Sequence, residues 1–122
     1  MKVLLADDDP GILETTADIL RTAGFDVTAV VDGRLAAAAA RRDRFDLIVL
    51  DVMMPGLNGV DTVDEIRRTD PGARFVIITA YTDSELVDDV RRRGISDIFF
   101  KPLDVAVLLG RLESIRRELT RK

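Results

Sequence analysis

The sequence has no cysteine and no histidine in its 122 residues. Their absence excludes a disulfide framework, a Cys/His zinc site, a thiol nucleophile and a Ser-His-Asp triad. Any metal bound here has to be held by oxygen ligands, and the hard cations Mg²⁺ and Ca²⁺ suit those best. Lysine is nearly missing: three residues, Lys2, Lys101 and Lys122, against 15 arginines (18 basic residues less three). Positive charge is in deficit overall, since 18 − 22 gives a formal −4. No basic footprint therefore supports direct nucleic-acid binding by this domain. Nor does any stretch approach the roughly 18 apolar residues of a membrane span. The N-terminal apolar run meets three aspartates too early to serve as a signal peptide. A cytoplasmic protein without a membrane segment is the expectation, and the lack of cysteine is compatible with a reducing compartment.

What is present is the composition of one ordinary domain over residues 1–122, 47% hydrophobic and 33% charged, long enough to bury a core. Five short apolar runs, at residues 3–6, 27–31, 47–50, 75–78 and 98–100, alternate with helix-like stretches. The first, third and fourth are apolar at every position, as strands are when both faces of a parallel sheet are covered. Helix punctuation lies between them. Asp9-Pro10 offers an N-cap and a proline at the first helical position, with Gly24 placed to end that helix. Ile12, Ala17 or Ile19-Leu20, and Ala23 would supply its buried stripe. Asp32-Gly33 precedes an alanine-rich helix, Thr82-Asp83-Ser84-Glu85 has capping-box spacing, Gly94 closes the next helix, and Asp104 caps the last. The pattern is (βα)₅: an α/β fold whose right-handed crossovers put helices on both faces of a parallel sheet.

The residue following each run carries the chemistry. Run one ends in Asp7-Asp8-Asp9, run three in Asp51, run four in Thr79 and run five in Lys101-Pro102. Parallel strands gather these groups on one carboxyl edge, where open α/β sheets bind ligands. Carboxylates held close together repel, and a divalent cation relieves that. A carboxylate is also a nucleophile towards phosphorus, given a hard metal ion, a fixed cation and a hydroxyl donor. Asp51 supplies the nucleophile, Asp7 and Asp8 the metal site, Lys101 the cation and Thr79 the hydroxyl. Asp9 reads as an N-cap because Pro10 follows it. Pro55, Gly56 and Gly59 shape the loop after Asp51. Val105, Leu108, Leu112, Ile115 and Leu119 form either a core stripe or a coiled-coil seam, and the charged tail from Arg116 outruns what the sheet needs.

Four motifs, in order, carry a resemblance: LLADDDP at residues 4–10, LIVLDVMMPGLNG at 47–59, VIITAY at 76–81 and FFKPL at 99–103. Across essentially its whole length the chain resembles a receiver domain of the two-component response regulators. The resemblance implies a flavodoxin-like doubly wound sheet of strand order 2-1-3-4-5. It makes Asp51 the acceptor of a phosphoryl group from phosphohistidine on a sensor histidine kinase or phosphotransfer protein. Mg²⁺ would be held by Asp8, Asp51 and the backbone carbonyl of Met53, with Asp7 reaching it through water. Thr79 and Lys101 would bind phosphoryl oxygens, and the Lys101–Pro102 peptide bond is expected to be cis. Conformational switching would alter the face formed by the fourth helix, fifth strand and fifth helix, acting on an output domain or downstream protein. That face also admits a weak homodimer beside the monomer. Ile98 departs from the family pattern, which often has Tyr or Phe there, so the aromatic switch is missing. Met53 and Tyr81 stand at positions that tune hydrolysis of the acyl phosphate. The domain is either stand-alone or the receiver of a longer regulator, a self-phosphorylating signalling module and not an enzyme acting on other substrates. Two other readings compete. One is an unphosphorylated pseudo-receiver that only binds a partner. The other is an aspartate-nucleophile phosphatase, which lacks its Asp-x-Asp because Met53 follows Asp51 by two residues.

Overall fold

The computed structural model describes residues 1–52, 59–80 and 84–120. Its elements alternate without exception: β1 (Lys2–Ala6), α1 (Pro10–Thr22), β2 (Asp26–Val30), α2 (Gly33–Arg42), β3 (Leu47–Asp51), α3 (Gly59–Thr69), β4 (Phe75–Thr79), α4 (Ser84–Arg92), β5 (Ile98–Phe100) and α5 (Val105–Thr120). All neighbouring strands pair in parallel, in the order β2-β1-β3-β4-β5. This is the expected doubly wound sheet.

Alternation along the strands sorts the core into two layers, because successive side chains point to opposite faces. Val3, Leu5, Leu47, Val49, Val76 and Ile78 pack with Leu13, Ala17 and Leu20 of α1 and Leu108, Leu112 and Ile115 of α5. Leu4, Ala6, Ile48, Leu50, Phe75 and Ile77 face the other way, against α2, α3 and α4. Fully burying each large aliphatic side chain contributes about 1.5–3 kcal/mol. Both faces being covered explains why β1, β3 and β4 read as unbroken apolar runs.

Local signals set the helix ends. The Asp9 carboxylate accepts from the Gly11 and Ile12 N–H groups, and Asp32 accepts from Leu35. Asp104 accepts from Ala106 and Val107. Gly24 and Gly94 take positive φ, +95° and +78°, where a helix reverses into the next segment and a Cβ is strained. The capping box falls partly at 82–83, outside the described residues.

Two expectations are corrected, and one alternative is decided. The buried stripe of α1 is Leu13, Thr16, Ala17 and Leu20, while Ile12 and Ile19 are exposed. The true i, i+3, i+4, i+7 pattern contains a threonine, so an apolar-only reading shifts its phase. Of the two readings of the α5 stripe the core one holds for Leu108, Leu112 and Ile115, which are fully buried, whereas Leu119 is exposed. The charged end of α5 is docked instead of free. Arg116 donates to the Ala23 carbonyl (3.2 Å) with its guanidinium 4.2 Å from the Phe25 ring centre, and Glu118 pairs with Arg74 at 3.1 Å.

Candidate functional site

Register decides which residues meet. Ala6 of β1 lies beside Leu50 of β3, so Asp7 and Asp51, one step further on, sit side by side. β1 and β3 are the central strands flanking the point where strand order reverses, the usual ligand crevice of such sheets. Asp51 is completely buried and Asp7 nearly so, while Asp8 is exposed. One carboxylate oxygen from each of Asp7, Asp8 and Asp51 lies within 4.8 Å of the others. Among the described residues, this is the one group of three acidic side chains close enough to share a cation. An all-oxygen, triply anionic donor set fits Mg²⁺ by its chemistry.

Lys101 reaches the same point from the end of β5, the edge strand of the same sheet, across β4. Its backbone N–H donates to the Thr79 carbonyl at 2.8 Å, continuing the β4–β5 ladder. Its Nζ lies 2.5 Å from Asp51 Oδ2. The Lys101–Pro102 peptide bond is cis. Parity places Asp7, Asp51 and Lys101 on the α1/α5 side of the sheet, with Val3, Val49 and Phe99. Thr79 has the parity of Phe75 and Ile77, on the side of α2, α3 and α4. Its buried hydroxyl donates to the Ala80 carbonyl at 3.3 Å. The structure thus brings Asp7, Asp8, Asp51 and Lys101 together, and sets Thr79 at the adjacent strand end with its proton on its own backbone. Ile98 is half-buried and packs on the α2–α4 layer. Met53 and Tyr81 lie outside the described residues.

The electrostatics are those of an anionic cluster holding one cation. Burial raises the Asp7 pKa from its ordinary 3.8. An N–H bond from Asp9 (2.9 Å) pulls it back, and the charges of Asp51 and Asp8 push it up again. Burial disfavours the Lys101 ammonium, yet its hydrogen bond to Asp51 and the charges of Asp51, Asp7 and Asp8 outweigh that and raise it above 10.5. Asp9 therefore does two things: its carboxylate caps α1 and its backbone orients Asp7, a role that side-chain chemistry alone did not signal. Gly59 closes the loop that follows Asp51. Its N–H donates to the Val52 carbonyl (3.2 Å), and a Cβ there would stand 2.3 Å from the Val52 Cα. Any side chain at 59 would push α3 away from the residue next to Asp51.

A groove of about 630 Å³ adjoins the cluster, lined by Ile12, Thr15 and Thr16 of α1 and by Lys101, Pro102 and Leu103. Ile12, assigned to the core by periodicity, belongs to this groove.

The described carboxyl edge thus carries an acidic cluster with a lysine at its centre, on a five-stranded doubly wound α/β sheet. Residues 3–113 match the response regulator receiver domain family, and the chain belongs to that family. The chain is 38% identical over 113 residues to the DNA-binding response regulator MtrA of Mycolicibacterium smegmatis, covering 93% of this chain and 49% of the relative. Among solved structures it resembles chemotaxis response regulator CheY4 of Vibrio cholerae, with 31% identity, TM-score 0.84 and coverage of 93% and 97%. It also resembles a chain of the CheX–CheY–BeF3–Mg²⁺ complex of Borrelia burgdorferi, with 29% identity, TM-score 0.83 and coverage of 94% and 88%. The chain spans about half the length of curated relatives such as MtrA. No helix among the described residues is long and apolar enough to cross a membrane.

Proposed function

We propose that this receiver accepts a phosphoryl group on Asp51 from a phosphohistidine of a histidine kinase or phosphotransfer protein. The observation that carries the reading is the completely buried Asp51 carboxylate, 2.5 Å from Lys101 Nζ and clustered with Asp7 and Asp8. An Asp51 oxygen attacks phosphorus, the P–N bond to the donor imidazole breaks, and an aspartyl phosphate forms. The ammonium of Lys101 then moves from compensating Asp51 to holding a phosphoryl oxygen, and its raised pKa keeps it charged throughout. Thr79 exchanges its bond to Ala80 for one to another phosphoryl oxygen. Asp8 and Asp51, with the carbonyl of Met53, would hold Mg²⁺, and Asp7 would reach it through water. The ion would screen the carboxylates and polarise the phosphoryl oxygens. The Mg²⁺ and beryllofluoride named with the Borrelia relative support this choice of ion. The groove beside Lys101 gives the donor protein an apolar seat next to the acceptor. Phosphorylation would then act on an output domain or downstream protein. MtrA, whose length this chain half covers, shows one such arrangement in its name as a DNA-binding regulator.

The test is intact mass after incubation with Mg²⁺ and acetyl phosphate. One added phosphoryl group is expected on the wild type, and none on Asp51→Asn or without Mg²⁺. No added mass on a folded wild-type chain would overturn the assignment.

A further inference from the structure

At the amino edge of the sheet, opposite the acidic cluster, lies a polar cavity of about 380 Å³. It is bounded by the end of α3, the start of β4 and the turn between α4 and β5, and its lining includes Arg67, Arg74, Phe75, Gly94, Ile95 and Asp97. The charged residues of that lining differ in how they are matched. Asp97 has both carboxylate oxygens bonded by Arg111, at 2.7 and 3.2 Å. Arg74 pairs with Glu118 at 3.1 Å. Arg67 is different. One of its terminal nitrogens donates to the Arg93 carbonyl at 2.7 Å, and its guanidinium lies 5.2 Å from the Phe75 ring centre. Asp64, one turn earlier on α3, is held by the fork of Arg93. The Arg67 Nε is closed to solvent and has no hydrogen-bond partner. Among the described residues it is the one buried side-chain nitrogen or oxygen of which that is true.

A buried donor without a partner is costly, more so on a charged group. The Arg93 carbonyl and the Phe75 ring fix the guanidinium without using its Nε edge, and that edge has already lost its water. A bond from Nε therefore carries no further desolvation cost for that atom. Water would satisfy the donor but leave the positive charge uncompensated. An oxyanion does both, because the Nε edge of a guanidinium offers two parallel N–H groups to two oxygens of one ligand. Asp70, the neighbouring acid, lines a separate hollow with Arg41, Arg42 and Arg44. The cavity is at the small end of the range for ligand pockets, so the ligand group is compact.

We propose that the amino-edge cavity is a second ligand site, which takes a compact oxyanion, a phosphate or carboxylate group, on the Nε edge of Arg67. A small turn of the guanidinium over Phe75 brings Nε to one oxygen and a terminal nitrogen to another. The other terminal nitrogen keeps the Arg93 carbonyl.

The experiment is a titration of the ¹⁵N-labelled full chain in EDTA, read from the arginine Nε–H resonances. Without Mg²⁺ the carboxyl-edge acids repel anions, so binding there does not interfere. Sodium phosphate, sodium acetate and sodium chloride are the probes, at constant ionic strength. The signal lost in Arg67→Lys identifies Arg67 Nε–H. In wild type it should move saturably with phosphate or acetate, and not with chloride. Movement with phosphate alone assigns a phosphate group, and movement with acetate as well admits an acidic side chain. Arg67→Lys keeps the charge but loses the fork. Read from the Ile95 and Ser96 amides, it should bind about tenfold more weakly, the loss of one charge-assisted hydrogen bond. Arg91→Met removes an exposed arginine outside the cavity and should leave binding unchanged. No saturable movement with either anion in the folded wild type overturns the site. Equal weakening in Arg91→Met also overturns it, because the effect would then be general charge. The assignment of Asp51, at the opposite edge, stands or falls separately.

Discussion

Asp7 and Asp97 both adjoin a strand end, Asp7 after β1 and Asp97 before β5, yet their surroundings are opposite. Asp97 has two bonds from Arg111, at 2.7 and 3.2 Å, with Arg74 at 3.9 Å. Asp64 has the fork of Arg93. Asp7 has Asp8 and Asp51 beside it, and Lys101 is spent on Asp51. The pKa directions follow: the hydrogen bond from Arg93 lowers Asp64, while burial and neighbouring carboxylates raise Asp7. Asp64 and Asp97, away from the carboxyl edge, are each matched with an arginine fork. At the carboxyl edge Asp7, Asp8 and Asp51 are grouped around the one ammonium of Lys101, an arrangement that suits the proposed phosphoacceptor role, since a fully matched carboxylate would have little use for a cation or a phosphoryl group.

The most severe way to break this contrast is to remove the lysine of the cluster. Lys101→Met takes the ammonium from a completely buried carboxylate. Breaking a buried pair costs up to about 3–5 kcal/mol, and less here because the Lys101 side chain is 36% exposed. A clear fall in melting temperature in EDTA is expected, partly restored by Mg²⁺. Retention of the wild-type melting point would mean that Asp51 is compensated without Lys101.

How much of this was legible beforehand differs between the same two regions. The acidic edge was legible because parallel strands convert sequence position into spatial position: whatever follows a buried run lands on one edge. Asp7, Asp8, Asp51 and Lys101 were found that way. The sheet itself followed from apolar runs without alternation, and only the order of its strands needed the family likeness. The arginine ties were not legible. Asp64 and Arg93 are 29 residues apart, each surrounded by other acids and arginines at helical spacing. Composition cannot say which of 15 arginines will pair with which of 22 acids. The docking of Glu118 on Arg74 escaped for the same reason, so the end of α5 read as more helix than the sheet needs. The phase of α1 failed on one polar residue: Thr16 is buried, and counting only apolar residues moved the stripe onto Ile12 and Ile19.

Metal is the next lever. If the acidic edge is left short of positive charge, saturating Mg²⁺ should raise the wild-type melting temperature. The stabilisation is about 2.7 kcal/mol at a hundredfold excess over Kd. Asp7→Asn should weaken that rise and, in EDTA at neutral pH, melt above wild type. No Mg²⁺-dependent shift at millimolar concentrations would remove the cation from the account.

The smallest effect sharpens the comparison most, because it has opposite signs in the two places. Asp7 has a folded pKa above its ordinary 3.8, so its ionisation costs stability as pH rises through the interval from 3.8 upward. In EDTA the advantage of Asp7→Asn should therefore be full at neutral pH and vanish as pH falls towards 3.8, where the wild-type carboxyl is itself neutral. Asp64 has a folded pKa below 3.8, so its contribution is fully present above 3.8 and is lost as pH falls through the lower value. Asp64→Asn should melt below wild type at neutral pH, by no more than a partly exposed pair supplies, and the deficit should close only at pH values under 3.8. Thermal melts of the three proteins across pH 3 to 7 read both curves. The two difference curves should bend on opposite sides of 3.8 and carry opposite signs. Curves of the same sign would mean that Asp7 is as well compensated as Asp64, and the distinction between the two regions would fall.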